Sequence, residues 1–400
     1  MLLKLSARFP RLMHTRDVTL LAGAQLPGLT VEDLASAARS AAGAGSLGFR
    51  LGTDGPGLTY RAGAETVTLT EGTDGADTIV VLSQQAWLDL TGQVRTFINL
   101  HLSGDLMFER GGFGQLARWD PALRLLHGGM PIYDPAQADF GDRDPGAVFP
   151  PDASDLELRS QLETMGYLHI QGLFTPEEMA AADAEVDRLA VLARPGDEQS
   201  WWATDEADAQ VLCRLVYASQ RSTVLAQLEG DQRVSRLGRL LDPSLRIATD
   251  RMEGSPVLLK QPGQTKGLSN IPWHQDCGMG GHAIMCPSIT IGIQLTGSSA
   301  ETGNLTVIPG SHGQALHYAW ERELADVPVV SIDTLPGDVT VHIQDVMHAS
   351  PQPTGVGGRR TMYVTFYPAR LWDHIGRGQA FNDLVRNRTT EVAGLRDAPK

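Results

Sequence analysis

The sequence predicts two domains: an α+β domain, followed by a mainly β domain with flanking helices. The chain has 400 residues, which is more than one usual domain contains. Short segments in which apolar and polar residues alternate, as in half-buried strands, are frequent between residues 271 and 367. An acidic, proline-rich segment at residues 134–152 precedes this part. We therefore place the domains at residues 1–133 and 153–400, joined by a linker that we expect to make few contacts.

The composition is typical of a soluble globular protein with a sizeable core, with 42% hydrophobic and 20% charged residues. A net charge of −14 argues against nucleic acid or an anionic membrane surface as a partner, and is compatible with a small-molecule enzyme. The cysteines Cys213, Cys277 and Cys286 form no paired framework, which indicates a reducing compartment. No long apolar run predicts a transmembrane segment, and no signal peptide is apparent, so we expect a cytoplasmic protein. The oligomeric state stays open.

The first domain begins with a predicted helix at residues 31–44, whose first turn carries Glu32 and Asp33 and so complements the helix dipole. Short strands follow, separated by Asp-Gly turns, and Ser83 caps a second helix. The predicted strands cover residues 49–51, 57–60, 66–70, 78–82 and 104–108, and a last helix covers residues 113–126.

Four patterns in this domain resemble the sterol-carrier-protein type of lipid-binding domain, over residues 20–127. They are Phe49-Arg50, the strand start Ala76-Asp77, the segment from Ser83 to Leu90, and Gly104-Asp105-Leu106. The resemblance implies a small α+β domain with one sheet, helices on one side of it and often an apolar tunnel. A scaffold or dimerisation domain without a ligand is the alternative, since no catalytic residue type stands out.

The second domain is predicted to begin with helices. Thr175-Pro176 starts one of them, with proline in the first helical position and acidic residues in the first turn. Residues 198–241 show apolar residues at helical spacing, for which we expect helices outside the sheet, with substrate contact as the alternative. The other predicted elements are a helix at 156–165 ending at Gly166, and strands at 167–170, 245–249 and 257–260.

The run Trp273-His274-Gln275-Asp276 is the strongest chemical signal in the chain. Positions i and i+2 of a strand point to the same face, so the His274 imidazole and the Asp276 carboxylate converge. A second histidine, His348, lies far downstream. Two histidines and one carboxylate on one face are the ligand set of a non-haem Fe(II) oxygenase, in which the open positions receive cosubstrate and dioxygen.

The surroundings of His348 support this interpretation. Residues 339–344 alternate as a strand after the turn Pro336-Gly337-Asp338, and His342 on that strand is the nearest competing ligand, although we expect it to be a wall residue. Arg359 opens the next alternating strand and is suited to binding a carboxylate of 2-oxoglutarate through two parallel hydrogen bonds. Arg360, on the opposite face, is the second candidate for this role.

The order of these motifs resembles the phytanoyl-CoA dioxygenase family over about residues 156–368. The residues that carry the resemblance are His274-Gln275-Asp276, Pro309-Gly310-Ser311-His312, Pro336-Gly337-Asp338, His348 and Arg359. It implies a double-stranded β-helix, which is a jelly-roll barrel of the cupin type, with Fe(II), 2-oxoglutarate and dioxygen. It does not imply phytanoyl-CoA as the substrate, because the family serves many substrates.

Five further residues are expected near the site, and no catalytic side chain is predicted beyond the metal ligands. Ser350 lies two residues after His348, and Thr290 lies on the polar face of its strand, so both are candidates for contact with 2-oxoglutarate. Lys260 is a third candidate, because the family resemblance implies a lysine near the cosubstrate or substrate at this point of the chain. Gln275 points away from its two neighbours and is a candidate for substrate contact, as is His282 in the loop that follows.

The leading functional hypothesis is an Fe(II)- and 2-oxoglutarate-dependent hydroxylase that releases succinate and carbon dioxide. The lipid-carrier resemblance suggests an apolar small molecule as substrate: a lipid, an acyl thioester or a polycyclic natural product. Desaturation and epimerisation by the same kind of enzyme are open alternatives. Halogenation is rejected, because halide must bind iron in place of the carboxylate ligand, and Asp276 is present. The alternative from another class is a lipid-binding or transfer protein whose barrel is catalytically idle.

Overall fold

The computed structural model describes residues 29–93, 95–247, 249, 253–266, 271–276, 288–316 and 327–368. The predictions for His282, Cys277 and Cys286 lie outside these residues. Within them, no helix combines the length and apolar character that crossing a membrane requires.

The first domain contains one five-stranded sheet with helices on one side of it. Its strands are β1 Leu47–Leu51, β2 Gly57–Ala62, β3 Val67–Glu71, β4 Thr78–Leu82 and β5 Leu106–Arg110. The sheet order is β3-β2-β1-β4-β5, in which β1 and β4 are parallel and the other pairs antiparallel. The helices are α1 Val31–Ser40, α2 Gln84–Thr91, α3 Phe97–Ser103 and α4 Phe113–Leu123, and a π-helical turn at Arg124–Gly128 continues α4.

Alternate residues of these strands form the core of the first domain. Phe49, Tyr60 and Val80 are buried on the face that the helices cover. Trp119 of α4 lies beneath the sheet, and its Nε1 donates to the carbonyl of Gly45 at 2.9 Å. The described residues of this domain thus combine one sheet with helices, and the resemblance to a lipid carrier stays a prediction.

The segment between the domains makes more contacts than its composition predicts. Its strand β6, Val148–Phe149, pairs in parallel with β7, Tyr167–Ile170, at the edge of the large sheet of the second domain. The hydroxyl of Tyr167 donates to the carbonyl of Pro145 at 2.6 Å, and Nε2 of Gln161 donates to that of Asp144 at 2.9 Å. The expectation of few contacts is wrong, because the polar linker residues turn the chain back onto the sheet; the domain limits themselves stay a prediction.

Two facing sheets form the second domain. The large sheet has the order β12-β8-β9-β11-β19-β14-β17-β7-β6, with β10 beside β19, and the small sheet has the order β13-β18-β15-β16. The remaining strands are β8 Ser200–Asp205, β9 Gln210–Leu215, β10 Arg246–Ile247, β11 Val257–Lys260, β12 Gln264–Lys266, β13 Ile271–His274, β14 Ile289–Gln294, β15 Leu305–Val307, β16 Val330–Ile332, β17 Val339–Ile343, β18 His348–Ser350 and β19 Arg359–Tyr367.

From β12 to β19 the chain crosses repeatedly between the two sheets, with β15 and β16 as consecutive strands of the small sheet, which is typical of a jelly roll. In the described residues the two sheets share no ladder, so the domain is a sandwich of two open sheets rather than the closed barrel that was expected.

Residues 198–241 differ from the sequence prediction. Their first part forms the hairpin β8–β9, because the polar turn after β8 is closed by Asp205, whose side chain accepts from the backbone N–H groups of Ala207 and Ala209, both at 2.8 Å. Helices appear only afterwards. The helices of the second domain are α5 Asp155–Met165, α6 Pro176–Leu192, α7 Thr223–Glu229 and α8 Gln232–Gly238.

The two faces of the large sheet differ in polarity. On β14, Ile289, Ile291 and Ile293 belong to the apolar core that also includes residues of α5 to α8. The alternate residues Thr290 and Gln294 are buried between the two sheets. The interior of the sandwich is therefore polar, and this is where the functional residues lie.

Candidate metal centre

The structure brings the three predicted metal ligands together. His274 ends β13, Asp276 follows two residues later, and His348 begins β18; His274 and His348 are directly paired in the ladder between these strands. Nε2 of His274 lies 3.3 Å from Oδ1 of Asp276, and Nε2 of His348 lies 3.7 Å from the same oxygen. All three ligand atoms lie within 4.8 Å of one another. We call these residues the triad.

Hydrogen bonds orient two members of the triad. Nδ1 of His348 lies 2.9 Å from the carbonyl of Val346. A carbonyl can only accept, so this contact places the proton on Nδ1 and leaves the Nε2 lone pair for a metal. The backbone N–H of Asp276 donates to the carbonyl of Gln344 at 2.9 Å, which anchors the segment after β13 against β17.

The electrostatics of the cluster match metal binding. Burial disfavours the charged form of Asp276, but the nearby His348 and hydrogen bonds from His274 and His342 outweigh it and hold the pKa of this carboxyl well below its usual value. Burial, with His274 close by, holds the pKa of His348 well below its usual value. An ionised carboxylate beside a neutral imidazole is the protonation state that a divalent metal requires.

His342 contacts the triad in addition to lying on the wall of the site. Its Nε2 lies 3.3 Å from Oδ2 of Asp276, whereas the two histidines of the triad face Oδ1. Its ring centroid lies 4.5 Å from that of His348. His342 is thus placed to donate a hydrogen bond to the carboxylate oxygen that the two other histidines leave free.

Arg359 lies on the same interior face and is suited to a carboxylate ligand. Its side chain is 1% exposed, Nη2 donates to Oγ of Ser350 at 2.8 Å, and the buried Nε has no hydrogen-bond partner among the described residues. It forms no ion pair with a described residue, and a buried cation without a counter-charge is costly. Arg360 instead points outward and pairs with Asp183 and Asp187 of α6, both at 2.8 Å, so it is not the carboxylate ligand.

Lys260 is a second buried cation beside Arg359. The two residues are paired in the ladder between β11 and β19, and Lys260 is 1% exposed. Its Nζ donates to both Oγ and the carbonyl of Ser350, each at 2.6 Å.

Ser350 has a different role from the predicted one. Its hydroxyl accepts from Lys260 and Arg359 and donates to the carbonyl of Gly303 at 3.1 Å. This uses its full hydrogen-bonding capacity, so no donor remains for a carboxylate of 2-oxoglutarate. Ser350 instead holds the two cations side by side.

A cavity of about 110 Å³ lies beside the triad. Thr290 is on its wall as predicted, and its hydroxyl accepts from Nε2 of Gln344 at 3.1 Å. Arg214 and Glu253 also line it and form an ion pair at 2.5 Å. Among the described residues, the polar lining comprises Arg214, Glu253, His274, Asp276, Thr290, His342, Gln344, His348, Ser350, Tyr363, Thr365 and Tyr367.

Several of these residues were not predicted from the sequence. Tyr363 and Thr365 follow Arg359 at the period of two along β19, so the strand pattern contained the signal for them. Arg214 could not be placed, because its segment was predicted to be helical. Gln275, in contrast, was predicted to contact the substrate and does not. It is 1% exposed and does not line the cavity. Its side chain instead donates to the carbonyl of Asp345 at 2.7 Å.

The donor set therefore fits Fe(II), and the buried guanidinium of Arg359 fits the distal carboxylate of 2-oxoglutarate. Oxygen and nitrogen ligands in a group of three leave positions open on the metal. Arg359 supplies a planar donor pair in a place where water is excluded.

Comparison with known proteins gives two curated relatives. An ectoine dioxygenase from Streptomyces anulatus is 27% identical over 181 residues, which are 44% of this chain and 57% of the relative. The ectoine dioxygenase of Streptomyces coelicolor is 28% identical over 173 residues, which are 42% of this chain and 53% of the relative. The chain thus spans little more than half the length of the curated relatives it matches.

The solved structures that match are more distant in sequence. The structure described as EctD from S. alaskensis with bound Fe is 18% identical, and the match covers 63% of this chain and 92% of that one, with a TM-score of 0.45. The α-ketoglutarate-dependent epimerase SnoN from nogalamycin biosynthesis is 20% identical. The match covers 54% of this chain and 81% of the epimerase, with a TM-score of 0.43.

The family comparison matches residues 162–361 to the family described as phytanoyl-CoA dioxygenase. This range begins after the first domain and includes the triad and Arg359. Since the match spans half of the chain, the protein belongs to the phytanoyl-CoA dioxygenase family.

Proposed function

We propose that the protein is an Fe(II)- and 2-oxoglutarate-dependent dioxygenase that hydroxylates a small molecule at an unactivated C–H bond. The observation that carries the proposal is the position of the triad beside a buried guanidinium that has no ion-pair partner among the described residues. In this arrangement His274, Asp276 and His348 would hold the metal. When bound, Fe(II) supplies the activation of dioxygen, coupled to the oxidative decarboxylation of 2-oxoglutarate to succinate and carbon dioxide.

The residues around the triad bind and orient the cosubstrate. Arg359 binds the distal carboxylate of 2-oxoglutarate, and the positive charge of Lys260 adds to the attraction. Ser350 fixes the separation of these two cations. The polar interior thereby places the cosubstrate in one orientation, and the buried position of both cations excludes water.

We expect the substrate to carry polar groups, because charged and hydroxyl side chains line part of the cavity wall. The expected apolar substrate depended on the resemblance of the first domain to a lipid carrier. Arg214, Glu253 and Tyr363 instead supply charges and a hydroxyl at the described wall. Sites of this kind select substrates that satisfy their buried polar groups. Since two curated relatives are named ectoine dioxygenases, ectoine is the first compound to test.

The lipid-carrier alternative with an idle second domain is disfavoured. An idle site has no reason to retain both a complete ligand set and a buried cation, since each costs folding free energy without a ligand. The described residues retain both features.

The test is an anaerobic titration of the full-length protein with Fe(II) and then 2-oxoglutarate, following the metal-to-ligand absorption band. Succinate release is then measured with ectoine, with other small polar compounds, and with lipids and acyl-CoA thioesters. We expect the band to form and succinate release to increase with a polar compound. The proposal is contradicted if the protein does not bind Fe(II), or if Asp276→Ala binds Fe(II) as tightly as the wild type. If only lipids increase succinate release, the proposed substrate class alone is wrong.

A further inference from the structure

One hydrogen bond connects the first domain directly to the metal-binding segment. Arg124 lies in the π-helical turn that follows α4, and its Nη1 donates to Oε1 of Gln275 at 2.9 Å. Gln275 stands between the ligands His274 and Asp276. Arg124 is 3% exposed and Gln275 is buried, so the contact is shielded from water.

The first domain holds Arg124 in place from two sides. Its Nε forms an ion pair with Oδ2 of Asp120 at 2.7 Å, one helical turn earlier, and both side chains are buried. Its carbonyl accepts from Nε2 of Gln93 at 3.1 Å. A Cβ at Gly128 would overlap that amide, so glycine at the end of the turn leaves room for this contact. Contacts within the first domain therefore fix the orientation of the Arg124 guanidinium that binds Gln275.

Gln275 connects Arg124 to the segments that carry the triad residues. Its Nε2 donates to the carbonyl of Asp345 at 2.7 Å and to that of Gln314 at 3.3 Å. Asp345 lies in the turn between β17 and β18, which leads directly to His348. Because both carbonyls require the NH₂ side of the amide, its oxygen must face a donor, and Arg124 is that donor.

We propose that Arg124 is a positioning residue of the metal centre, and that the first domain thereby completes a site whose ligands all belong to the second. The inference rests on the proposed function, since it concerns the metal. Arg124 lies outside the matched range 162–361, so this support is a feature of this chain rather than of the matched region. Residues that orient ligating segments commonly change metal affinity about 10–100-fold when they are replaced.

The experiment uses the full-length, metal-free protein and Co(II) as the probe, with Co(II) affinity and the Co(II) absorption spectrum as readouts. Arg124→Lys retains the charge opposite Asp120, but a single ammonium cannot reach both Asp120 and Gln275 as the guanidinium does. Gln275→Met retains the volume but removes the acceptor together with the two donor contacts of Nε2. We expect each variant to bind Co(II) roughly tenfold more weakly, with an altered spectrum. The double variant should be little weaker than Gln275→Met alone, because that substitution already removes the contact with Arg124.

Ser46→Ala is the matched control. Ser46 is buried in the same domain, and its hydroxyl donates to Oδ2 of Asp77 at 2.7 Å rather than to the turn that carries Arg124. This variant should lower the midpoint of thermal unfolding and leave Co(II) affinity unchanged.

Three outcomes overturn the inference. The first is a lower unfolding midpoint for Arg124→Lys with unchanged Co(II) affinity and spectrum, since Arg124 is then structural only. The second is full additivity of the two substitutions. The third is that Co(II) binds equally to wild type and to Asp276→Ala, in which case the metal centre itself is wrong. Asp120→Asn keeps the test decisive if Arg124→Lys does not fold, because it removes the charge that orients the guanidinium and leaves Gln275 unchanged.

Discussion

At the scale of single residues, Ser350 explains how two buried cations coexist beside the triad. One hydroxyl accepts from both Lys260 and Arg359 and holds them side by side. Arg359 forms no ion pair with a described residue, so an anion that binds beside it offsets the cost of its burial. The site is therefore expected to bind dicarboxylates such as 2-oxoglutarate more tightly when both cations are present.

Arg359→Ala should weaken 2-oxoglutarate binding by about tenfold to several hundredfold, because charged hydrogen bonds contribute ~1.5–3 kcal/mol each. Iron affinity should be nearly unchanged, since the triad is intact. Arg359→Lys should restore only part of the affinity, because it lacks the planar fork. The measurement is an anaerobic titration of the Fe(II)-loaded protein. Arg360→Ala is the control, and an effect there equal to that of Arg359→Ala would reverse the assignment.

His342→Phe should weaken Fe(II) binding about tenfold, because Oδ2 of Asp276 loses its donor. The loss should be much smaller than that caused by His348→Ala, which removes a ligand. Chelator competition measures both affinities in the same assay. Equal losses in the two variants would mean that His342 is itself a ligand, and that the triad has been chosen wrongly.

At the scale of elements, Asp338 joins the turn before β17 to the strand β7. Its carboxylate accepts from the backbone N–H groups of Gly172 and Leu335, both at 2.8 Å, and lies 3.1 Å from Nε2 of His169. Burial raises the pKa of Asp338, but these hydrogen bonds outweigh it and lower the pKa below the ordinary value of 3.8. The charged form is thus the one that the fold stabilises.

Asp338→Asn should lower the free energy of unfolding by about 2 kcal/mol at neutral pH, since hydrogen bonds to a charged group are lost. Because the folded pKa is lowered, the contribution of Asp338 is complete above the unfolded value near 3.8 and disappears as the pH falls through the folded value. Urea unfolding between pH 7 and pH 3 should show a smaller loss of stability on acidification for the variant. An identical pH dependence in both proteins would exclude this carboxylate as a source of acid sensitivity.

Periodicity predicted the elements wherever one face of a strand or helix is buried. The alternation in β17 and β19 placed His342 and Arg359 on the interior face, and Thr175-Pro176 marked the start of α6. The hairpin β8–β9 was missed because two adjacent tryptophans, Trp201 and Trp202, interrupt the alternation and fit a helical spacing equally well. Only the pairing with β11 and β12 decides in favour of strands.

Contacts between distant segments could not be predicted in the same way. The triad was found because its three residue types are rare in combination and chemically specific. The contact between Arg124 and Gln275 has no such signal, since Arg124 belongs to no motif and the contact depends on how the domains pack.

At the scale of the whole molecule, the two domains are joined by more than the connecting chain. Tyr133 packs against Trp273, Ile308 and Met347 of the second domain, and its backbone N–H donates to the carbonyl of Ala315 at 2.9 Å. Strand β6 adds an edge to the large sheet. The composition of the acidic linker predicts few contacts between the domains. The contacts present instead indicate that the two domains unfold together.

A chain that begins near Pro151 should therefore express poorly or retain iron weakly. It lacks Tyr133, β6 and Arg124, so it exposes the apolar cluster around Trp273 and leaves Gln275 without its donor. A chain that begins near residue 130 retains Tyr133 and β6 and is the comparison. The measurements are solubility and iron content after reconstitution. A soluble short chain with wild-type iron affinity would show that the first domain is dispensable.

The direct pairing of His274 with His348 has a consequence for unfolding. A bound metal ties together two strands that are far apart in the chain, as a disulfide does, except that this cross-link is reversible and depends on the free metal concentration. Any ion that binds only the folded form adds stability by mass action, about 2.7 kcal/mol at a hundredfold excess over its Kd. The cross-link also closes a long loop, which restricts the unfolded chain if the metal stays attached to it. Iron supply would then set how long this protein survives proteolysis, independently of whether any substrate is present.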